Sequence, residues 1–250
     1  MADALRLFGL RAVVTGAGSG IGEAIVRTLV KQGAEVLALD SASSGIETHF
    51  KGVRGVRGAP IDINATDVAT KVGEIAATEL GVVDIVICNV SPRSDGPISD
   101  SDGEALSVLL TRKNDLVEGI CRQLLPMMKS SPAGRIVLLG FNRSVFARDG
   151  TDSYAKSEAA IADLTKRFAA EVAEFGINVN YIQLGAIMTP ESRRVFNNDK
   201  ALRDFCIQRS AAKRLGEPVD VAKVALFLAT DDSVFVSGTG IMVDGGVAAK

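Results

Sequence analysis

Cysteine is scarce in this chain of 250 residues. Cys88, Cys121 and Cys206 are an odd number at wide spacings, which gives neither a disulfide framework nor a metal-ligand cluster and points to a reduced, intracellular setting. Histidine occurs once, and His49 without a partner cluster reads as a solvated loop residue, not a ligand. Tryptophan is absent. Neither sign of charge is in excess: the net charge of −2 argues against nucleic acid and against an anionic membrane surface as partners. No apolar run approaches the ~20 residues that a membrane-spanning helix needs. The first ten residues, broken by Asp3 and Arg6, do not read as a signal peptide. The expectation is a cytoplasmic protein that holds no metal and meets neither nucleic acid nor membrane.

What is present is a sizeable apolar fraction, 47%, arranged as short β-rich runs alternating with longer helical stretches. The runs predict strands over 11–15, 35–40, 56–61, 83–89, 135–139, 178–184 and 240–243. Several are continuously apolar (VVDIVICNV, RIVLLG), as strands buried on both faces of a parallel sheet are. Helices are predicted over 20–32, 65–80, 101–128, 153–175 and 218–229, with Gly33 and Gly176 as left-handed caps and Pro218 in a first turn. The alternation specifies an α/β fold: one doubly wound parallel sheet of about seven strands with helices on both faces, ligands binding at the strand C-termini. The whole of 1–250 reads as a single Rossmann-type domain. The stretch 41–59 reads as a surface loop with one helical turn. The polar stretch 188–215 breaks the alternation and reads either as a lid on the substrate side or as a helical excursion without function.

Thr15-Gly16-Ala17-Gly18-Ser19-Gly20-Ile21-Gly22 follows the first strand and opens the first helix. Glycine lets such a turn close tightly and brings its backbone against a diphosphate, which the free N–H groups and positive dipole end of the helix then hold. Asp40 ends the second strand, where a carboxylate accepts hydrogen bonds from both ribose hydroxyls of NAD and repels the 2′-phosphate of NADP. NAD is therefore the expected cofactor.

The glycine spacing resembles the fingerprint of the short-chain dehydrogenase/reductase family, and other blocks agree in order: Asp62-Ile63, Cys88-Asn89-Val90-Ser91, Asn178-Val179-Asn180 through Leu184-Gly185, Thr189-Pro190 and Val243-Asp244-Gly245-Gly246. The resemblance runs from about residue 8 to 247 and implies cofactor contacts at Gly16, Ser19, Gly20, Ile21, Gly22, Asp40, Asp62, Ile63, Asn89 and Ile187. It also implies a catalytic Tyr154 and an active-site Asn114. The family's catalytic Ser and Lys are replaced here, by Phe141 and Glu158, so the chain resembles an atypical member. Family chemistry wants a tyrosine hydroxyl that titrates near neutrality, which a positive neighbour favours and a carboxylate opposes. Phe141 removes a hydroxyl that would stabilise charge developing on oxygen. Lys156, about 200° round the helix from Tyr154, faces away. Asn142 or Ser144 stands near enough to replace the serine if the loop is remodelled. Glu158 is a candidate partner for the cofactor ribose, or an acid or base for different chemistry.

Three functions fit: an NAD(H)-dependent oxidoreductase acting on a small alcohol or ketone; a catalytically impaired NAD(H)-binding protein acting as sensor or partner; and a lyase or isomerase using Tyr154 and Glu158. The resemblance further implies a homo-oligomer, dimer or tetramer, built on the two long helices. Residues 92–96 and 191–214 are expected to shape the substrate pocket. Arg143, Arg148 and Arg193 either favour an acidic substrate or are ordinary surface arginines.

Overall fold

The computed structural model describes residues 5–90, 103–148 and 151–248. Its strands form one parallel seven-stranded sheet in the order β3-β2-β1-β4-β5-β6-β7. The strands are β1 (Arg11–Thr15), β2 (Glu35–Asp40), β3 (Val56–Pro60), β4 (Ile85–Cys88), β5 (Arg135–Asn142), β6 (Asn178–Leu184) and β7 (Gly240–Val243). The interior strands β1, β2, β4 and β5 are largely apolar runs because both of their faces are covered, while β6 carries buried Asn180 and Gln183 among its apolar residues. Along β1, Val13 faces one core and Ala12 and Val14 the other, as the two-residue period of a strand requires.

The helices are α1 (Gly20–Lys31), α2 (Ile46–His49), α3 (Val68–Glu79), α4 (Gly103–Met128), α5 (Thr151–Val172), α6 (Pro190–Asn198), α7 (Lys200–Arg209) and α8 (Pro218–Ala229). α3, α4 and α5 pack their apolar stripes on one face of the sheet; α1 and α8 cover the other. α2 is the single turn foreseen in the loop after β2. The stretch 188–215 folds as α6 and α7, which close a third, small core of Phe146, Ala186, Phe196 and Cys206. α6 starts on a capping box in which Thr189 accepts from the Ser192 N–H and the Ser192 hydroxyl answers the Thr189 N–H.

Two features of this topology position the site. The strand order reverses between β1 and β4, so the turns leaving these strands splay apart and open a crevice at the sheet's C-terminal edge. β5 runs three residues beyond its expected end, and its register against β6 shifts between Leu139 and Asn142. Gly140 makes room there: a Cβ on it would lie 2.4 Å from the Gln183 Oε1. The Gln183 amide in turn donates to the Phe141 carbonyl at 2.7 Å, fixing the strand end that presents Phe141.

Candidate active site

The crevice is a cavity of about 480 Å³ lined by Gly16, Ser19, Gly20 and Ile21 of the glycine turn, Asp40 and Ser41 after β2, Ile61 and Ile63 after β3, Asn89 and Val90 after β4, and Lys113, Gly140, Phe141, Tyr154, Leu184, Thr189 and Glu191. Its glycine end is built by close backbone approach. Gly16 has φ +60°, and a Cβ on it would stand 2.0 Å from the Asn89 carbonyl oxygen. Asn89 locks that contact by donating its side-chain amide to the Gly16 carbonyl at 3.1 Å and its backbone N–H to the Thr15 hydroxyl at 3.0 Å. Gly20, at φ +52°, faces the Thr189 side chain across the mouth. The Asp40 carboxylate accepts from the Gly18 N–H at 2.7 Å and from the Ser41 N–H at 2.6 Å, so the β2 carboxylate and the glycine turn are held as one unit. These residues fit a dinucleotide: a side-chain-free cradle, a helix N-terminus for a diphosphate, and a fixed carboxylate for a ribose.

Of the expected cofactor residues, Gly16, Ser19, Gly20, Ile21, Asp40, Ile63 and Asn89 line this cavity. Three do not. Gly22 serves packing: a Cβ on it would meet the Gly16 carbonyl oxygen at 1.9 Å. Asp62 is exposed and accepts from the Asn64 N–H at 3.0 Å, while Ile61 and Ile63 on either side of it face inward. Ile187 is buried in the core below α8 and bridges to Gly216.

At the other end, Tyr154 of α5 reaches the cavity as expected, and Phe141 lies there with it. Two expected positions change. The α4 side chain in the cavity is Lys113, not Asn114. The buried stripe of α4 runs through Leu106, Leu110, Lys113, Val117, Ile120 and Leu124 at helical spacing, and Asn114 falls about 100° off it. Glu158 is likewise not among the lining residues. Its carboxylate accepts the Ser144 N–H, anchoring the segment after β5, so it is committed to the backbone and does not face a ribose. Ser144 is held by the same bond. The Asn142 side chain and residues 92–96 lie outside the described residues. Lys156 is exposed. Arg143 pairs with Asp244 and Arg148 with Asp199 at 2.7 Å, while Arg193 is exposed. His49 is half-buried in α2, 3.3 Å from Glu23.

Lys113 is the electrostatic surprise of the site. It is 3% exposed, its Nζ lies 4.0 Å from the centroid of the Phe141 ring, and among the described residues no carboxylate pairs with it. Burial pushes its ammonium down to about 7, with Cys88 acting weakly in the other direction. Sequence reasoning passed over Lys113 because a lysine at a helix position ordinarily signals the solvent side. The signal that could have found it is its place in the apolar stripe, three residues after Leu110 and four before Val117. Across the cavity the Ser19 hydroxyl donates to Glu191 of α6 at 3.0 Å.

With this geometry in place the class is defined. The family model described as enoyl-(acyl carrier protein) reductase matches residues 16–248, and the chain belongs to the short-chain dehydrogenase/reductase family. It is similar over 97% of its length to the 3-oxoacyl-[acyl-carrier-protein] reductase of Thermotoga maritima, with 30% identity and 99% of that protein covered. It is also 30% identical to the gluconate 5-dehydrogenase of Gluconobacter oxydans, over 99% of this chain and 98% of that one. Among solved structures, a putative NAD(P)-dependent gluconate 5-dehydrogenase from Beutenbergia cavernae, with NADP bound at low occupancy, superposes with a TM-score of 0.82 at 29% identity, covering 98% of both chains. No helix among the described residues is long and apolar enough to cross a membrane.

Proposed function

We propose that this chain is an NAD(H)-dependent oxidoreductase that interconverts a small alcohol and ketone with an altered catalytic set. The observation that carries the reading is the unit formed by Asp40 and the glycine turn, set in one cavity with Tyr154. A bound nicotinamide dinucleotide supplies the hydride acceptor or donor. The protein's own part is to hold its diphosphate on the α1 N-terminus, its ribose on Asp40 and the substrate oxygen near Tyr154. Asp40 favours NAD over NADP because a carboxylate here meets the extra phosphate with like charge. Serine and lysine are replaced by Phe141 and Glu158, so Tyr154 works without the hydroxyl and the ammonium that the family pattern supplies at these positions. α6 and α7 form the lid, with Glu191 placed at the glycine turn by its bond from Ser19. Calorimetry with NAD⁺, NADH and NADP⁺ tests the cofactor reading: tight NAD(H) and weak NADP⁺ are expected, and no heat from NAD⁺ or NADH at millimolar concentration refutes it.

A second reading rests on the same two replacements: a protein that binds NAD(H) and senses it without turnover. Binding without hydride exchange on any alcohol or ketone favours it. The lyase or isomerase reading loses support because Glu158, its acid or base, is spent on the Ser144 N–H. A homo-oligomer is supported by the fully exposed Phe235, with exposed Val234 and Met242, at the β7 edge of the sheet.

A further inference from the structure

Several arginines among the described residues have ionic partners: Arg143 has Asp244, Arg122 has Glu118 and Glu171, and Arg148 has Asp199. Cys88 and Cys121 are both buried, 3.7 Å apart, and line no cavity wall described above. Lys113 differs from all of these. It is an amine in the apolar stripe of α4, on a residue that lines the same cavity as Tyr154, with the Phe141 ring at 4.0 Å and no anion to neutralise it among the described residues. A helix stripe that needed only packing would be served better by leucine or methionine, since burying an ammonium without a counter-charge is costly. The cavity supplies the missing half of the explanation if the amine meets its partner only when substrate enters.

We propose that Lys113 is a catalytic residue of this site, giving a proton to the substrate oxygen in ketone reduction and taking one from it in alcohol oxidation. The role rests on the oxidoreductase reading above and moves the acid–base work from α5 to α4. In reduction the carbonyl carbon receives the hydride from the dinucleotide. The π pair of the C=O bond moves to oxygen, which takes a proton from the Lys113 ammonium. The neutral amine is recharged from water. Oxidation runs the same steps backwards. An amine titrating near 7 is matched to that exchange at neutral pH, as general acid–base catalysis requires. Cys88 from β4 acts on it, and Tyr154 from α5, Asp40 and Glu191 line the same cavity; Arg112 and Asp115, the nearest charged residues along α4, are exposed.

The first measurement needs no turnover. Competitive acetylation by acetic anhydride between pH 5 and 11, read by peptide mass spectrometry, gives the titration of each lysine. Lys113 is expected to become reactive near pH 7, about 3 pH units below a free lysine side chain in a reference peptide. A Lys113 that titrates with the reference peptide overturns the proposal. The second uses ethyl acetoacetate, acetoacetyl-N-acetylcysteamine and 5-keto-gluconate with NADH, and the matching alcohols with NAD⁺. Reduction should fall, and oxidation rise, as pH passes through about 7. Lys113→Met should lower kcat by roughly 100-fold or more, remove both limbs and leave the KM for NADH within about 3-fold. Lys113→Arg, which keeps charge but cannot release it, should not rescue, whereas methylamine should partly restore Lys113→Ala. Turnover whose pH limbs survive in Lys113→Met overturns this role alone. No turnover on any probe, with NADH bound, overturns the oxidoreductase reading and this role with it.

Discussion

Replacing Lys113 by methionine removes an ammonium that the fold holds in an apolar stripe, and the consequence for stability can be worked out without reference to activity. In the unfolded chain this lysine keeps its proton up to 10.5; in the folded protein burial brings that down to about 7. Between these values the unfolded state binds a proton that the folded state has released, so this group's contribution to stability rises with pH across that window. Below about 7 both states are protonated, and the cost of burying the charge is complete and constant. At about 1.4 kcal/mol per pH unit the full cost is roughly 5 kcal/mol, and water reaching the cavity reduces it to an expected ~2–5 kcal/mol. Methionine matches the side chain in length and carries no charge. Lys113→Met is therefore expected to be the more stable protein at pH 6, by on the order of 10 °C in Tm at ~2–4 °C per kcal/mol, and to lose most of that advantage by pH 9.5. Thermal denaturation of both proteins across that range gives the difference, in which all other titrating groups cancel. A gap that does not change with pH, or a variant less stable at pH 6, refutes the claim that Lys113 is a buried, uncompensated amine.

Asp40→Ala should weaken NAD⁺ by roughly 10–100-fold, the worth of the charge-assisted hydrogen bonds lost, while narrowing the preference over NADP⁺; isothermal calorimetry with both nucleotides measures each. An unchanged NAD⁺/NADP⁺ ratio contradicts the ribose assignment. Gly16→Ala places a Cβ 2.0 Å from the Asn89 carbonyl at φ +60°, so a loss of about 2–4 kcal/mol in urea denaturation is expected, together with loss of dinucleotide binding. Phe235→Glu puts a charge on the most exposed apolar side chain of the β7 edge and should lower the molecular mass seen by light scattering by at least half, with the monomer fold intact by circular dichroism.

The sheet was legible because strands buried on both faces are mostly apolar runs, β6 with its buried Asn180 and Gln183 being the partial exception, and because a glycine turn between a strand and a helix marks 15–22. Boundaries moved where tertiary contacts decide. β5 continues to Asn142 because Gln183 holds the Phe141 carbonyl, a contact set by β6 and invisible in the strand's own pattern. The cofactor half of the site was readable for the same reason as the fold, since it is made of backbone and one acidic residue at a strand end. Asp62 and Ile187 stand outside the cavity lining, since spacing alone does not fix orientation in a loop. Asn114 was named from the family resemblance alone, although the stripe of Leu110, Val117 and Leu124 puts 113 on the inner face of α4. Glu158 was read as a ribose partner or as an acid or base because its partner, the Ser144 N–H, carries no side-chain signature.

This division between backbone and side chain would let a chain keep a dinucleotide cradle while its proton chemistry differs. Dinucleotide binding draws on N–H groups, a helix end and the absence of Cβ atoms, and Asp40 is itself held by two backbone donors, so substitutions at 141 and 158 leave that half untouched. Proton transfer depends on where a few side-chain atoms stand, and here these are an aromatic ring at 141, a carboxylate at 158 bonded to the loop and an amine at 113. The ring and the amine belong together, because Phe141 is the surface over which the Lys113 ammonium sits, and a serine in its place would offer a hydroxyl instead of a π face. Phe141→Ser, made to restore the family pattern, should therefore alter the titration of Lys113 in the acetylation experiment. A Lys113 that titrates identically in both proteins would show the ring and the amine to be independent, and the case for a relocated proton donor would then rest on the cavity alone.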